Sequence, residues 1–296
     1  MLVDETRLHI AIQKSGRLSD FSRGLLKDSG LRIQNGRNAL TARVENFPAD
    51  LMLVRDDDIP TFVGDGVCEF GIVGDNVLEE FELGKEELSI ERVTPLGFGR
   101  CTLKLAAPES VAYESPASLA GARIATTYPR IVQRFLDRNR VAATVVKMNG
   151  AVELAPRLRI APFICDLVST GATLEANGLR AVETVFDSEA VLIRTKKPVA
   201  DAKREQGERL LSRIQGVLAT KESKYIMLNA PGEALREISA LLPGAEAPTI
   251  LPLHGRAGHF AVHAVCQESV FWETLQRLKA AGASAILVLP IEKMMM

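Results

Sequence analysis

The sequence predicts an α/β protein with a two-lobed body and a small C-terminal domain. Apolar runs of strand length alternate with helical patterns along the chain, which is typical of α/β folds. Two such sets follow one another before residue 200, and two α/β lobes of similar size suit a hinged body with a cleft. Residues 224–296 follow the order β-α-β-β-α-β, which is the ferredoxin-like plan.

The individual elements are predicted from apolar periodicity and from turn signals. The predicted strands of the body are residues 8–12, 50–54, 70–74, 101–107, 123–126, 143–148, 164–168 and 181–194. The predicted helices are residues 18–29, 129–139, 151–159 and 203–220. The expected divisions are residues 1–100 with 181–200 for lobe I, 101–180 for lobe II, 201–223 for a linking helix, and 224–296 for the C-terminal domain.

Composition and charge exclude several classes of protein. Of the 296 residues, 47% are hydrophobic and 25% are charged, which is the balance of a folded globular protein. Because 36 basic residues face 37 acidic ones, a protein that coats nucleic acid or an anionic membrane is not expected. The acidic start of the chain differs from a signal peptide, and the four scattered cysteines are expected to be reduced, so a cytoplasmic protein is predicted.

The richest loop follows the predicted strand 164–168. Its hydroxyl side chains and Gly171 can direct donors and backbone N–H groups at one anion, and a helix is expected to begin near Leu174. Asp166 lies at the end of the strand, and an ionised carboxylate accepts hydrogen bonds from ribose hydroxyls. A helix N-cap in a glycine-containing turn is the alternative interpretation of this segment.

Glu153 and the segment ICDLVSTGATL at 164–174 resemble the signature of the ATP phosphoribosyltransferase family. Other segments resemble family segments in the same order along nearly the whole chain. These are QKSGRL at 13–18, RDDDIP at 55–60, GIVG at 71–74, RIAT at 123–126, EANGL at 175–179, PTILPL at 248–253 and GASAIL at 282–287.

The resemblance implies the first enzyme of histidine biosynthesis. This enzyme transfers the 5-phosphoribosyl group of phosphoribosyl pyrophosphate to N1 of ATP and releases pyrophosphate, with Mg²⁺ carried by the substrate rather than by a dedicated protein site. It also implies the long form of the enzyme, with a type II periplasmic-binding-protein-like body and a C-terminal regulatory domain of ACT or PII type. A homo-oligomer, expected to be a hexamer, would be inhibited by histidine without a separate regulatory subunit.

Site residues follow from the same resemblance. Glu153 and Asp166 are expected to hold the ribose, and the adjoining loop is expected to hold the 5-phosphate. The residues expected to bind phosphoribosyl pyrophosphate are Glu153, Asp166, Leu167, Val168, Ser169, Thr170, Gly171, Ala172, Thr173 and Leu174. Those expected at the ATP polyphosphate are Lys14, Gly16, Arg17, Arg55 and Arg37, with an electrostatic role for Lys14 and Arg17 and no covalent nucleophile. Those expected to bind histidine are Thr249, Ser284 and Ala285.

Departures from the family pattern and alternative functions bear on this interpretation. The family signature usually has a glycine six residues after the glutamate, where this chain has Arg159. Glu79 and Glu80 are interpreted as part of a solvated acidic face.

Two alternative functions share the predicted two-lobed body: a prephenate dehydratase-like enzyme with an amino-acid-sensing domain, and a non-enzymatic solute sensor. The first has no use for a phosphate loop, and the second would usually carry an export signal.

Overall fold

A computed structural model of the chain describes residues 6–34, 40–168, 171–221, 223–242 and 247–294. The chain divides into two compact units, Met1–Lys27 with Leu31–Gly207 and Glu208–Met296 with Asp28–Gly30. Across the described ranges, no helix combines the length and the apolarity that crossing a lipid bilayer requires.

The first unit is built from strands and helices that alternate along the chain. Its strands are β1 Leu8–Gln13, β2 Thr41–Arg43, β3 Ala49–Val54, β4 Phe70–Gly74, β5 Ile90–Pro95, β6 Cys101–Pro108, β7 Arg123–Thr126, β8 Thr144–Lys147, β9 Phe163–Val168, β10 Leu179–Ser188 and β11 Ala190–Thr195. Its helices are α1 Arg17–Asp28, α2 Ile59–Gly64, α3 Asp75–Glu82, α4 Pro129–Asn139 and α5 Ala172–Ala176, and α6 Asp201–Leu218 follows them.

Two sheets define two lobes within this unit. The sheet of lobe I has the order β2-β3-β1-β4-β11-β5, and the sheet of lobe II has the order β10-β6-β9-β7-β8. In lobe I, β3, β1 and β4 run parallel, and in lobe II, β9, β7 and β8 run parallel. The predicted two-lobed α/β body is therefore confirmed.

The lobes are joined by two crossovers, one between β5 and β6 and one at Glu189 between β10 and β11. Backbone hydrogen bonds connect the two crossovers. Leu96 N donates to Ala190 O and Ala190 N donates to Phe98 O, both at 2.9 Å. The prediction of a single strand at 181–194 in lobe I is wrong for residues 181–188. These residues belong to β10, which pairs antiparallel with β6 in lobe II.

The helix predicted at 151–159 is also absent from the structure. Only Val152–Leu154 forms a short 3-10 turn, and the following residues are turns. Ala151 and Arg159 both have left-handed backbone, with φ of 50° and 55°. Pro156 lies between them and has no N–H to continue a helix. The apolar residues of this segment therefore pack on the sheet of lobe II as parts of turns, and not as one face of a helix.

Each lobe has a core of its own. In lobe I, Ile59 and Val63 of α2 and Val77 of α3 pack with Val73 of the sheet. In lobe II, one face of the sheet packs against α4, and the other packs against the 152–161 turns and Leu174 of α5. The second of these packed faces supports Glu153 and the loop that follows β9.

The second unit is an antiparallel sheet with helices on one face. Its elements are β12 Ser223–Pro231, α7 Leu235–Leu241, β13 Thr249–Pro252, β14 His259–Gln267, α8 Glu268–Ala280 and β15 Ser284–Pro290. The strand order β13-β14-β12-β15 is that of the ferredoxin-like plan, which confirms the prediction for this domain. Ile238, Phe271 and Leu278 of the helices pack on Ile226 and Val262 of the sheet.

Candidate active site

The carboxyl ends of the parallel strands in lobe II form one polar edge. Thr126, the last residue of β7, pairs with Lys147 at the end of β8 and with Cys165 of β9. Tyr128, Lys147 and Asp166 therefore emerge side by side. In open α/β sheets, ligands bind outside this end of the strands, which makes this edge a candidate binding site.

Asp166 is half-buried at this edge, and its Oδ1 accepts a 2.8 Å hydrogen bond from Leu167 N. Burial raises the pKa of Asp166, the bond from Leu167 N lowers it, and the nearby charge of Glu153 raises it further. The two carboxylates predicted to hold a ribose are thus within interaction range of each other. Lys104 of β6 pairs directly with Asp166 across the sheet, so both side chains project on the same face.

The loop after β9 is described from Gly171 onward, and Ser169 and Thr170 lie outside the described residues. Gly171 has a φ of 85°, a conformation that favours glycine, and precedes the five-residue helix α5. Leu174 is buried, whereas Ala172 and Thr173 are exposed. Leu167 and Val168 project to opposite faces of the sheet, toward the two cores of lobe II.

A depression of about 560 Å³ adjoins this loop and is lined by Gly171, Lys104, Arg180 and others. The cations Lys104 and Arg180 were not singled out in the sequence. A lysine within the apolar run of β6 is the signal that could have identified Lys104, because lysine in a strand interior usually needs a polar neighbour. Arg180 stands alone in the sequence without such a signal.

Lobe I contributes cations from two neighbouring strands. Gln13 of β1 pairs with Val54 of β3, and Lys14 N donates to Val54 O at 2.8 Å. Lys14 and Arg55 therefore emerge next to each other, and both are exposed. Arg17 is exposed at the start of α1, after Gly16 with a φ of 94°. Arg37 lies outside the described residues.

The two lobes face each other across a charged cleft. Burial raises the pKa of Asp57, the charges of Asp56 and Asp58 raise it further, and the charges of Arg55 and Lys147 lower it. Because Asp57 lies in lobe I and Lys147 in lobe II, this interaction spans the cleft. Carboxylates and cations therefore line both sides of a space that can hold a phosphorylated substrate.

The residues predicted to bind histidine do not come together within one chain. Thr249 begins β13, and Ser284 and Ala285 begin β15, which lies at the opposite edge of the sheet. Two strands separate these edges, a distance of about 14 Å at the usual strand spacing. Ser284 and Ala285 border a largely apolar depression of about 430 Å³ beside Phe271 and Trp272.

Comparison with known proteins gives the class of this chain. It is a pentosyltransferase, an enzyme that transfers a ribose-phosphate group. A family model described as ATP phosphoribosyltransferase matches residues 55–216, and a model described as the HisG C-terminal domain matches residues 220–293. The chain therefore belongs to the ATP phosphoribosyltransferase family, which confirms the resemblance. The enzyme transfers the phosphoribosyl group of phosphoribosyl pyrophosphate to ATP in histidine biosynthesis, and the dehydratase and solute-sensor alternatives are wrong.

Solved structures with a similar fold include a member of this family. One is the ATP phosphoribosyl transferase (HisG:HisZ) complex from Thermotoga maritima, with 26% sequence identity, coverage of 72% of this chain and 98% of that chain, and a TM-score of 0.60. Another is the alkanesulfonate-binding protein SsuA from Xanthomonas axonopodis pv. citri bound to MOPS, with 14% identity, coverage of 73% and 75%, and a TM-score of 0.48.

Proposed function

We propose that phosphoribosyl pyrophosphate binds at the polar edge of lobe II and ATP binds at the facing edge of lobe I. The observation that carries this proposal is the proximity of Glu153 and Asp166 beside the Gly171 loop. Paired carboxylates accept hydrogen bonds from a ribose diol, and the adjoining loop binds the 5-phosphate. The residues assigned to this substrate are Glu153, Asp166, Leu167, Val168, Ser169, Thr170, Gly171, Ala172, Thr173 and Leu174.

Cations around the cleft are assigned to the polyphosphate groups. Lys14 and Arg17, with Arg55 and the Gly16 backbone, are supported by their common position at the ends of β1 and β3. Lys147 is added to this set because its charge acts on Asp57 across the cleft. The assignment of Arg37 rests on the sequence alone.

The reaction needs positioning and charge stabilisation rather than a covalent nucleophile. The lone pair of adenine N1 forms a bond to C1 of the ribose, and the bond from C1 to the pyrophosphate oxygen breaks, so that pyrophosphate leaves with the electron pair. Lys14 and Arg17 oppose the charge that develops on the leaving group. Holding the two substrates in line supplies a large part of the rate enhancement.

Mg²⁺ is expected to enter with the pyrophosphate. The oxygen donors of Asp56 and Asp57 suit this ion, which prefers carboxylate and phosphate oxygens. Their mutual repulsion, which helps raise the pKa of Asp57, would be relieved by a cation. Within the described ranges, which include Asp56, Asp57 and Asp58, no three acidic, histidine or cysteine side chains form a group that could hold a metal ion by themselves.

An absorbance assay for phosphoribosyl-ATP tests the proposed site. Purified protein is incubated with ATP, phosphoribosyl pyrophosphate, Mg²⁺ and pyrophosphatase, and each substrate is omitted in turn. Asp166→Asn should lower kcat/KM about 100-fold, because it removes a charged acceptor for the ribose hydroxyls. Asp137→Asn, an exposed change on α4 of the same lobe, is the matched control and should retain activity. Normal activity of Asp166→Asn would contradict the assignment.

We also propose that the C-terminal domain binds histidine and inhibits the enzyme. Since Thr249 lies at one sheet edge and Ser284 and Ala285 lie at the other, a single site containing all three must combine two copies of the chain. The left-handed backbone of Ala285, with a φ of 50°, supports a specialised role, because such strain is often retained at binding sites. The domain within the chain makes a separate regulatory subunit unnecessary.

Assembly into a homo-oligomer, expected to be a hexamer, is supported by an exposed apolar sheet face. Tyr225 pairs with Leu289, and Leu287 pairs with Met227, on the face of the sheet opposite the helices. Tyr225, Leu287 and Leu289 are between 36% and 51% exposed, and contiguous apolar patches of this kind usually mark interfaces.

The four free cysteines support a reducing compartment, so we place the enzyme in the cytoplasm.

Titration with histidine tests the regulatory proposal. Histidine should lower the initial rate of the wild-type enzyme, and Ala285→Leu should weaken this inhibition because the larger side chain fills the proposed site. Ala240→Leu, a change at an exposed position on α7, is the matched control. A wild-type rate that is independent of histidine would limit the domain to a role in assembly.

A further inference from the structure

Asn76 connects the crossover between the lobes to the substrate cleft. It lies in the first turn of α3, only 4% of its surface is exposed, and its backbone N–H donates to Ser188 Oγ at 3.0 Å. Ser188 Oγ in turn donates to Asn76 Oδ1 at 2.8 Å. Ser188 ends β10 at the crossover, so both ends of the Asn76 amide have defined partners and the side chain is fixed.

The other end of this amide reaches lobe II, where Asn76 Nδ2 donates to Tyr128 Oη at 2.8 Å. The Tyr128 ring packs against the cores of both lobes. Because the phenol oxygen accepts the bond from Asn76, its own proton remains available for an acceptor elsewhere. Asn76 therefore fixes the position of the hydroxyl oxygen and occupies one of its acceptor positions.

The Tyr128 hydroxyl proton can be donated to a ligand in the cleft. Burial raises the pKa of Tyr128, the bond from Asn76 lowers it, and the charges of Asp56, Asp57 and Asp166 raise it. The phenol therefore stays protonated over the range in which an enzyme operates. It lies within electrostatic range of Asp166, the proposed ribose-binding carboxylate, on the neighbouring parallel strand of lobe II.

Gly74 provides the space that this arrangement needs. A Cβ atom at position 74 would lie 2.5 Å from Asn76 Oδ1, which is too close for a real contact. The backbone of Gly74 has a φ of −67°, which any residue can adopt. The requirement for glycine here is therefore steric and concerns the Asn76 amide rather than the turn.

We propose that Asn76 is a positioning residue that directs the Tyr128 hydroxyl proton at bound phosphoribosyl pyrophosphate. This inference rests on the proposed function of the cleft. Tyr128 belongs to the lobe that holds Asp166, so its hydroxyl donates to the phosphoribosyl substrate rather than to ATP. Neither Asn76 nor Tyr128 is among the residues that the family resemblance assigns to the site.

A mutant cycle tests whether Asn76 acts through Tyr128. Asn76→Asp keeps the shape and the acceptor for Ser188 but loses the amide donor, and the new carboxylate would accept the Tyr128 proton. We expect Asn76→Asp and Tyr128→Phe each to raise the KM for phosphoribosyl pyrophosphate about tenfold, which is the usual effect of one hydrogen bond. The KM for ATP should change less than twofold in both variants.

The double variant separates positioning from a structural role. If Asn76 acts through Tyr128, Asn76→Asp combined with Tyr128→Phe should be within twofold of Tyr128→Phe alone. Asn139→Asp, the same chemical change at an exposed position of α4, is the matched control and should leave both KM values unchanged. Thermal unfolding of every variant shows whether the lobes remain folded.

Gly74→Ala provides a second route if Asn76→Asp does not fold. It displaces the Asn76 amide without changing that residue, and it should give the same selective rise in KM and the same lack of additivity with Tyr128→Phe. Multiplicative effects, or equal rises in both KM values, would overturn the inference while leaving the enzyme assignment intact. A folded wild-type protein that forms no phosphoribosyl-ATP would instead overturn the proposed function.

Discussion

At the scale of single residues, backbone strain surrounds Glu153. Ala151 and Arg159, which bracket its turn, both have left-handed backbone. Non-glycine residues in this region cost roughly 1 kcal/mol or more, and such strain persists where the surrounding structure enforces it. The turn that carries Glu153 is therefore held in shape by its packing on the sheet of lobe II rather than by local preference.

Arg159→Gly should stabilise the protein. Glycine adopts the observed φ of 55° without steric cost, so the free energy of unfolding should rise by about 0.5 kcal/mol after allowing for the greater freedom of the unfolded chain. The measurement is urea unfolding followed by circular dichroism. Arg157→Gly, two residues earlier in the same turn region, should instead lower the free energy. A loss of stability in Arg159→Gly would show that the arginine side chain outweighs its backbone strain.

The pH dependence of activity should report the interaction of Glu153 with Asp166. In the proposed site, Asp166 accepts hydrogen bonds from ribose hydroxyls in its ionised form, and its pKa is raised, so activity should fall as the pH falls through that raised value. Glu153→Gln removes a charge that raises the pKa, so the acid limb of kcat/KM for phosphoribosyl pyrophosphate should move to lower pH. The limb should stay in place in Glu114→Gln, an exposed change in the same lobe.

The same pKa shift has an opposite consequence for stability. Because the folded protein holds the Asp166 proton more tightly than the unfolded chain does, it binds more protons between the two pKa values. The penalty for burying this carboxylate is therefore fully present above the raised pKa. It is relieved as the pH falls toward the ordinary value for aspartate. Activity and local stability thus favour opposite directions of pH at this site.

At the scale of secondary-structure elements, α3 of lobe I is docked against the start of α4 of lobe II. The Glu80 carboxylate accepts hydrogen bonds at 3.0 Å from the backbone N–H groups of Arg130 and Ile131. Glu79 forms ion pairs with Arg92 and Arg134. The interpretation of Glu79 and Glu80 as a solvated face is therefore wrong, because both are used to hold the two lobes together.

Glu80→Ala should destabilise the first unit. It removes the acceptor for two orphan N–H groups of α4, and the loss of such a cap costs about 1–2 kcal/mol. The urea midpoint should fall with little change in the slope of the transition. Glu86→Ala, an exposed change in the segment after α3, should have a much smaller effect. An unchanged midpoint in Glu80→Ala would mean that solvent replaces the carboxylate fully.

Buried apolar runs explain which elements could be predicted from the sequence. The strands Phe70–Gly74 and Arg123–Thr126 and the helix Pro129–Asn139 begin and end where predicted, because Gly, Pro and buried aliphatic residues mark their bounds. The strand Ile90–Pro95 was not predicted, since charged residues interrupt its pattern. The break at Glu189 depends on pairing with two different sheets, which no local pattern records.

Some residues of the candidate site could be predicted from local sequence patterns, and others could not. Loops after strands mark Lys14, Arg55 and the Gly171 segment directly in the sequence. Asn76 and Tyr128 are not marked, because their relation spans 52 residues and both lobes. The assignment of Thr249 and Ala285 to one site stays a prediction: the sheet order places them at opposite edges of the domain, so a shared site needs two copies of the chain, which no local pattern records.

At the scale of the whole molecule, the uncovered sheet face of the C-terminal domain should control assembly. Leu287→Glu places a charge within this apolar face, and burying an unpaired charge costs several kcal/mol, so the proposed oligomer should dissociate into smaller species. Size-exclusion chromatography with light scattering measures the mass. Val67→Glu, at a position of similar exposure in the first unit, is the matched control. A wild-type mass in Leu287→Glu would exclude this face from the interface.

The two crossovers have a consequence for how the chain is made. Lobe II is one continuous segment, but β11, which pairs with both β4 and β5 in lobe I, is synthesised only after β10. On the ribosome, lobe II can therefore fold completely while the edges of β4 and β5 are still unpaired, and unpaired strand edges promote aggregation. Lobe I begins first but is completed last, so nascent chains that stop before Ala190 should be the species most prone to aggregation.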